Sequence, residues 1–274
     1  MRFATCNEYF EGWKIEDVLA YAGRIGYQGV EIAPFTLAAS VEDIGAARRR
    51  QIRQAAEDSG VQIVGLHWLL AAPPGLYIDH PDEAVRRRTR LYLEALIHFC
   101  GDLGGEVMVF GSPKQRSIQP GWDPEDTWKR LRDSFAAVMP VAAERGVYLC
   151  IEALSAEQTN IVTTAADARR LVAEIDHPNF RTMIDVCSGS TERLSVPQLL
   201  RDTGELLYHV HVNDANKRGP GFGQTDFVGV LRTLHEMKYE RYVSVEVFDF
   251  APDPRTIAAG SLGYLRGIAA ALGC

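Results

Sequence analysis

Four segments of the sequence end in a side chain that can bind a metal ion. Each is a short apolar or β-branched run, CIE, MID, YHVH or VSVE, and the terminal residues are Glu152, Asp185, His211 and Glu246. Three carboxylates and one imidazole form a mostly oxygen donor set, which suits Mn²⁺, Mg²⁺ or Co²⁺ better than the thiolate-rich sites of structural zinc. If these segment ends meet in the fold, they predict one divalent metal site.

The role of each acid is open when it is taken alone, because an acid at a strand end usually caps a helix or forms a salt bridge. Three carboxylates gathered in the mouth of a fold are different. They need a compensating cation, and one divalent ion supplies it for all of them. The repetition of the pattern in four segments is therefore what indicates a metal.

Short β-rich runs alternate with helical runs along the whole chain. Eight strands are predicted, over residues 3–6, 29–32, 61–67, 107–110, 147–152, 181–185, 207–212 and 243–247. Strict β/α alternation predicts a parallel sheet, and eight units in 274 residues favour a single-domain (β/α)8 TIM barrel over residues 1–274. A barrel of this kind forms its site at the carboxyl ends of the strands, where the four candidate ligands are expected.

An open doubly wound sheet is the alternative architecture. No G-x-G-x-x-G follows the first strand and no P-loop lysine is found, which disfavours the nucleotide-binding forms of such a sheet. Among the helices, we expect one that is capped by Ser40, begins at Val41 and runs to the Ser59-Gly60 pair.

Composition disfavours several classes of protein. The net charge of −7 argues against nucleic acid as the main partner, and no apolar run approaches the ~18 residues of a membrane span. The amino terminus has no pattern of a secretion signal. Five widely spaced cysteines predict free thiols, as in a cytoplasmic protein.

Three further residues end predicted strands or lie on them. Glu31 ends the second strand and His67 the third, and for each a substrate contact and a structural role remain open. His209 points to the same side as His211 but one pleat deeper, so we expect a supporting or packing role.

Aromatic and basic residues flank the same strand ends. Trp68, with Trp13 and Phe248, could form an apolar wall for a sugar, although ordinary core packing explains them equally well. The basic side chains of two neighbouring loops are either solvated or grip a phosphate group of the substrate; they are Lys114, Arg116, Lys217 and Arg218.

Several motifs carry a family resemblance over essentially the whole chain. They are E-x-L at Glu152, I-D at Asp185, H-x-H-x-x-D-x-N over 209–216, P-G-x-G over 220–223 and V-E-V at Glu246. The sequence resembles the xylose isomerase-like TIM barrels known as sugar phosphate isomerases/epimerases, and within them the D-tagatose/D-psicose (ketose) 3-epimerases. The resemblance implies that Glu152, Asp185, His211 and Glu246 bind a divalent ion, commonly Mn²⁺ with Zn²⁺ among the alternatives, and that the two glutamates also move protons.

Three positions depart from the ketose 3-epimerase pattern. Gln158 stands where those enzymes have a second glutamate, Ser188 where they have histidine and Lys217 where they usually have arginine. The family's residues there hold the sugar's hydroxyl and carbonyl groups. These departures leave the metal set intact but make the identity of the sugar uncertain.

The implied reaction is proton transfer next to the carbonyl of a ketose, through an enediolate held by the metal, and most simply a 3-epimerisation. Aldose–ketose isomerisation and dehydration of an inosose-type ketone use the same site. An endonuclease IV-like nuclease and a non-catalytic sugar-binding barrel are alternatives of other classes. The resemblance also implies a homodimer or homotetramer.

Overall fold

The eight strands of the protein close into a parallel barrel in chain order. A computed structural model describes residues 1–274. The strands are β1 (Arg2–Cys6), β2 (Gly29–Ile32), β3 (Gln62–Leu66), β4 (Val107–Phe110), β5 (Tyr148–Glu152), β6 (Phe180–Asp185), β7 (Leu207–Val212) and β8 (Tyr242–Val245). β8 pairs with β1 through Arg2 opposite Tyr242 and Thr5 opposite Val245, which closes the barrel. The predicted (β/α)8 barrel is confirmed, and the open sheet is excluded.

Helices surround this barrel and connect its strands. They are α1 (Ile15–Ile25), α2 (Ala46–Asp58), α3 (Glu83–Leu103), α4 (Pro124–Arg145), α5 (Ala165–Ile175), α6 (Val186–Gly189), α7 (Val196–Thr203), α8 (Phe227–Glu236) and α9 (Pro254–Leu272). Side chains cap several of their amino ends; Thr164 and Asp167 form a reciprocal capping box on α5. Gly26 ends α1 with a φ of 104°, a conformation that L side chains rarely adopt. No helix is both long enough and apolar enough to cross a bilayer.

The prediction of one helix from Val41 was wrong. Ser40 caps a one-turn 3-10 helix, Val41–Asp43, and α2 begins only at Ala46. Between them Ile44 is extended, with φ −93° and ψ 94°, and its side chain is buried. Arg49 holds this break by donating to the carbonyl groups of Ile44 and Val41. Burial of Ile44 thus outweighs the continuation of the helical hydrogen bonds.

The core has two parts. The larger one, of 68 buried residues, fills the space between the barrel and the helices. The smaller one, of 8 residues, includes Ala4, Val64, Val109 and Met183 on the strands. Polar side chains that are almost fully buried accompany it nearer the carboxyl ends of the strands, among them Glu31, His209 and His211. The apolar part stabilises the barrel, and the polar part forms the base of a site.

Candidate metal centre

The structure brings the four expected metal ligands together. Glu152, Asp185, His211 and Glu246 are all buried, and they offer ligand atoms that lie within 4.8 Å of one another. Asp185 pairs directly with His211 across β6 and β7. β8 ends at Val245, two residues earlier than predicted, but the Glu246 N–H still donates to Val212 O at 3.3 Å. Glu152 pairs with Met183 across β5 and β6, so the strand pairing sets the positions of all four side chains.

His211 is oriented by a buried carboxylate. Its Nε2 donates to Glu31 Oε1 at 3.0 Å, and its Nδ1 lies 3.0 Å from Glu246 Oε2. Burial alone would lower the pKa of His211, but the charges of Glu31 and Glu246 hold it well above its usual range. The position therefore favours positive charge beside the ring, whether as a proton or as a metal ion.

Glu31 does not reach a substrate. Its side chain is fully buried, and it accepts hydrogen bonds from both His209, at 2.8 Å, and His211. Burial would raise the pKa of Glu31, but the two histidines hold it well below its usual range. Of the two roles that the sequence left open for Glu31, these contacts support the structural one. Glu31 and His209 form a layer below the candidate ligands, as expected for His209.

Asp185 is held on both oxygens. Its Oδ1 accepts from the Ser188 N–H at 2.6 Å, and its Oδ2 accepts from Asn213 Nδ2 at 2.6 Å. The fully buried Asn213 also accepts from the Cys187 N–H at 2.9 Å. Asn213 was missed from the sequence. Its position two residues after His211, on the same side of β7 by strand alternation, is the signal that could have revealed it.

The charges and the unpartnered atoms of the four candidate ligands show whether a cation fits between them. Burial, together with Glu246 and Asp185, raises the pKa of Glu152 well above its usual range, and burial raises the pKa of Asp185 to about 6. Glu246 Oε2 and His211 Nδ1 are buried and neither has a hydrogen-bond partner, although they lie 3.0 Å apart. Carboxylates that repel one another beside two orphaned ligand atoms fit a divalent ion.

Glu152 packs closely against the loop after β4. A Cβ atom on Gly111 would lie 2.1 Å from Glu152 Oε2, so any other residue there would displace this carboxylate from its position. The Glu152 carbonyl accepts from Arg116 Nη2 at 2.6 Å. Arg116 is fully buried, so the expectation that it is either solvated or free to grip a phosphate was wrong. Its role in this structure is to hold the end of β5.

The other loop cations do not form a phosphate site together. Arg218 donates to Asp249 Oδ2 at 2.8 Å and is therefore paired. Lys114 and Lys217 are exposed, and neither lines the cavity beside the ligands. Lys217 adopts a φ of 69°, and its carbonyl accepts the N–H groups of Phe248 and Asp249. Ser188 also lies outside the cavity lining, where it holds Asp185 through its backbone.

A small cavity adjoins the candidate ligands. Glu152 and Glu246 line it together with His67, Trp68, Gln158 and Phe248. His67 is buried and bonded through Nε2 to Glu8 Oε2 at 2.7 Å. Glu8, just after β1, was another residue missed from the sequence. The structure thus places three of the expected substrate-binding residues, His67, Trp68 and Gln158, where a substrate could touch them.

Comparison with known proteins gives this arrangement a family. The sequence pattern of the family described as "xylose isomerase-like TIM barrel" matches residues 19–268. The chain belongs to that family. The resemblance inferred from the motifs is therefore confirmed.

Relatives of the chain within the xylose isomerase-like family are named epimerases. This chain is 27% identical in sequence to 3-dehydro-D-guloside 4-epimerase of Escherichia coli (strain K12), over 97% of this chain and 99% of that protein. It is 23% identical to fructoselysine 3-epimerase of Shigella flexneri, over 93% of each. A crystal structure of D-psicose 3-epimerase in the presence of D-fructose superposes with a TM-score of 0.86 at 20% identity, over 98% of this chain and 99% of that one. The predicted isomerase class is confirmed by these names.

Proposed function

We propose that this member of the xylose isomerase-like family is a carbohydrate epimerase that depends on a divalent metal ion. It would invert the configuration at a carbon next to a carbonyl group. Ketose 3-epimerisation is the reaction that its residues and its relatives favour. The observation that carries the proposal is the pairing of Glu152 with Glu246, two buried glutamates that face one cavity beside Asp185 and His211.

Four side chains would hold the ion, namely Glu152, Asp185, His211 and Glu246. Mn²⁺ is the ion we propose first, because the donor set is rich in oxygen and contains one imidazole. A bound divalent ion supplies positive charge that stabilises the negative charge developing on the substrate's carbonyl oxygen. Glu31 fixes the ring of His211, and Asn213 fixes the carboxylate of Asp185.

The two glutamates would carry the proton. Glu152 ends β5 and Glu246 follows β8, so they approach the cavity from strands that are separated by β6 and β7. One carboxylate removes the proton from the carbon next to the carbonyl, and the other returns a proton to its opposite face, which inverts the centre. Removal and return on a single face would leave the configuration unchanged.

The cavity walls would exclude water from this exchange. His67 is held by Glu8 and offers its ring to the cavity, while Trp68 and Phe248 cover it with aromatic surface. Gln158 is the exposed polar residue of the lining, and we propose that it binds a hydroxyl group of the sugar. Restricting water protects the carbanion-like species from unselective protonation.

The proposal is tested by product analysis. The Mn²⁺-loaded protein is incubated with a panel of free ketoses and keto-glycosides, and products are separated by chromatography that resolves epimers. We expect one epimer pair to interconvert, and we expect Glu152→Gln and Glu246→Gln to lose this activity by more than about 100-fold. Glu157→Gln, a change at an exposed neighbour, is the matched control.

Metal content per chain, measured on the same samples, separates loss of the base from loss of the ion. Formation of an aldose in place of an epimer would redirect the assignment to aldose–ketose isomerisation, and loss of water from the substrate would redirect it to a dehydratase. Full activity in both glutamine variants would contradict the proposal.

A further inference from the structure

A large aromatic cleft lies next to the small cavity that holds the two glutamates. Its volume is about 590 Å³, and the aromatic side chains that line it are Phe10, Trp13, Phe35, Trp68, Phe248 and Phe250. Phe35 and Phe248 are 44% and 38% exposed, so part of this apolar surface is not buried in the core. A volume of this size falls in the range of sites that bind small organic molecules, about 300–1,000 Å³.

The cleft and the glutamate cavity share two walls. Trp68 and Phe248 line both spaces, with ring centroids 6.4 Å apart and ring planes at 75°. The glutamate cavity itself measures only about 20 Å³, roughly room for one water molecule, so a bound sugar must displace these rings or extend past them. The two spaces are thus neighbouring parts of one binding region.

Trp68 is held in an unusual backbone conformation at this boundary. Its φ is 52°, in the left-handed region that bulky residues rarely occupy. Such conformations persist where the surrounding structure enforces them, often at ligand sites. Here the conformation places an aromatic ring between the space for the reacting carbon and the wider cleft.

One polar residue that lines the cleft carries an unpartnered atom. Glu8 lines it and is 8% exposed; its Oε2 accepts from His67, but its Oε1 is buried and has no hydrogen-bond partner. A buried acceptor of this kind is costly unless a ligand donates to it. A hydroxyl group at the edge of a bound molecule would satisfy it.

We propose that the aromatic cleft is a subsite for a ring-shaped group attached to the reacting sugar. Aromatic faces bind the C–H face of a pyranose or the face of an aryl ring, and Glu8 accepts a hydrogen bond from a hydroxyl group at the junction. The substrate class is then a keto-sugar that carries a second ring, and not a free ketose. This inference rests on the proposed epimerase function for the reacting centre.

The test uses one keto-hexopyranoside with three different groups on its anomeric oxygen: methyl, phenyl or glucopyranosyl. A free ketohexose completes the set. With the Mn²⁺-loaded protein, we expect kcat/KM for a ring-bearing compound to exceed that for the methyl compound about tenfold or more. Preference for the phenyl or for the glucopyranosyl compound identifies the source of the ring, and either preference supports the subsite.

Phe35→Ala is the diagnostic variant, because this side chain is exposed and its removal leaves the core intact. We expect it to reduce the ratio of kcat/KM for ring-bearing to methyl compound about tenfold. Leu91→Ala is the matched control, since Leu91 is 55% exposed on α3 and lines neither cavity. An unchanged ratio in Phe35→Ala, or equal kcat/KM for the methyl and ring-bearing compounds, overturns the inference.

Calorimetric binding of the same compounds separates this inference from the proposed function. If no compound is turned over, the epimerase proposal fails. The subsite is then still decided by affinity: it stands if the wild-type protein binds a ring-bearing compound more tightly than the methyl compound and Phe35→Ala removes that difference. Equal affinities overturn it.

Discussion

Asn213 offers the sharpest test of how the candidate metal centre is held. It donates to Asp185 Oδ2 at 2.6 Å and accepts from the Cys187 N–H at 2.9 Å, and its side chain is fully buried. Asn213→Ala removes both bonds without touching a candidate ligand. Asp185 then keeps its backbone bond from Ser188 on Oδ1, but its Oδ2 loses the group that orients it.

The magnitude follows from these two bonds. A hydrogen bond to a charged group contributes about 1.5–3 kcal/mol, and leaving the partly buried Cys187 N–H without its partner costs about 1 kcal/mol, so we expect a loss of unfolding free energy of about 3 kcal/mol. Part of this loss appears in metal affinity, because a misplaced carboxylate binds the ion less well. Loss of such an outer partner typically weakens metal binding about 10- to 100-fold.

The assay is calorimetric titration with Mn²⁺ at neutral pH, together with the thermal midpoint of the metal-stripped protein. Asn179→Ala is the matched control. Asn179 is buried just before β6 and donates to Val147 O at 3.0 Å, at the opposite end of the strand from Asp185. We expect the control to lower stability but not Mn²⁺ affinity. Wild-type affinity in Asn213→Ala would refute the argument that Asn213 positions a metal ligand.

Three further perturbations probe other parts of the structure. Gly111→Ala places a methyl group 2.1 Å from Glu152 Oε2, so we expect the fold to persist by circular dichroism while epimerase activity falls at least about tenfold; full activity would show that Glu152 can move freely. Burial raises the pKa of Asp79 to about 7, and neither of its carboxylate oxygens has a hydrogen-bond partner. The folded protein therefore binds a proton that the unfolded chain loses near pH 4, and stability falls as pH rises from about 4 to 7. Asp79→Asn should raise the thermal midpoint more at pH 8 than at pH 5, and an equal effect at both would contradict that pKa. Chelation of bound metal should lower the thermal midpoint and re-addition of Mn²⁺ should restore it, by about 2.7 kcal/mol of stability when free metal is 100 times its Kd; an unchanged midpoint would argue against an ion at the four ligands.

The barrel and its candidate ligands were predictable because both follow from local patterns. Alternating β and α runs determine a parallel sheet, and strand ends such as those at Asp185 and His211 then meet at one level. Boundaries were less predictable. Ile44 breaks the expected helix because its side chain enters the core, which depends on the packing of distant segments.

The surroundings of the ligands could not be predicted in the same way. Arg116 lies in a polar loop sequence, yet it is fully buried because it donates to the carbonyl of Glu152, 36 residues away. Glu31 reaches His209 and His211 across 178 and 180 residues. Such contacts are created by closure of the barrel, and no pattern within one segment encodes them.

We propose that one of Glu152 and Glu246 removes a proton from a carbon next to the substrate's carbonyl group and that the other returns one. The most direct measurement is deuterium incorporation, followed by NMR, when the Mn²⁺-loaded protein acts on keto-sugars in D₂O beside a metal-stripped control. We expect deuterium at one carbon adjacent to the carbonyl, only with metal, and not in Glu152→Gln or Glu246→Gln. Metal-loaded protein that turns over its substrate without incorporating deuterium, or that incorporates it equally in both variants, would contradict the claim.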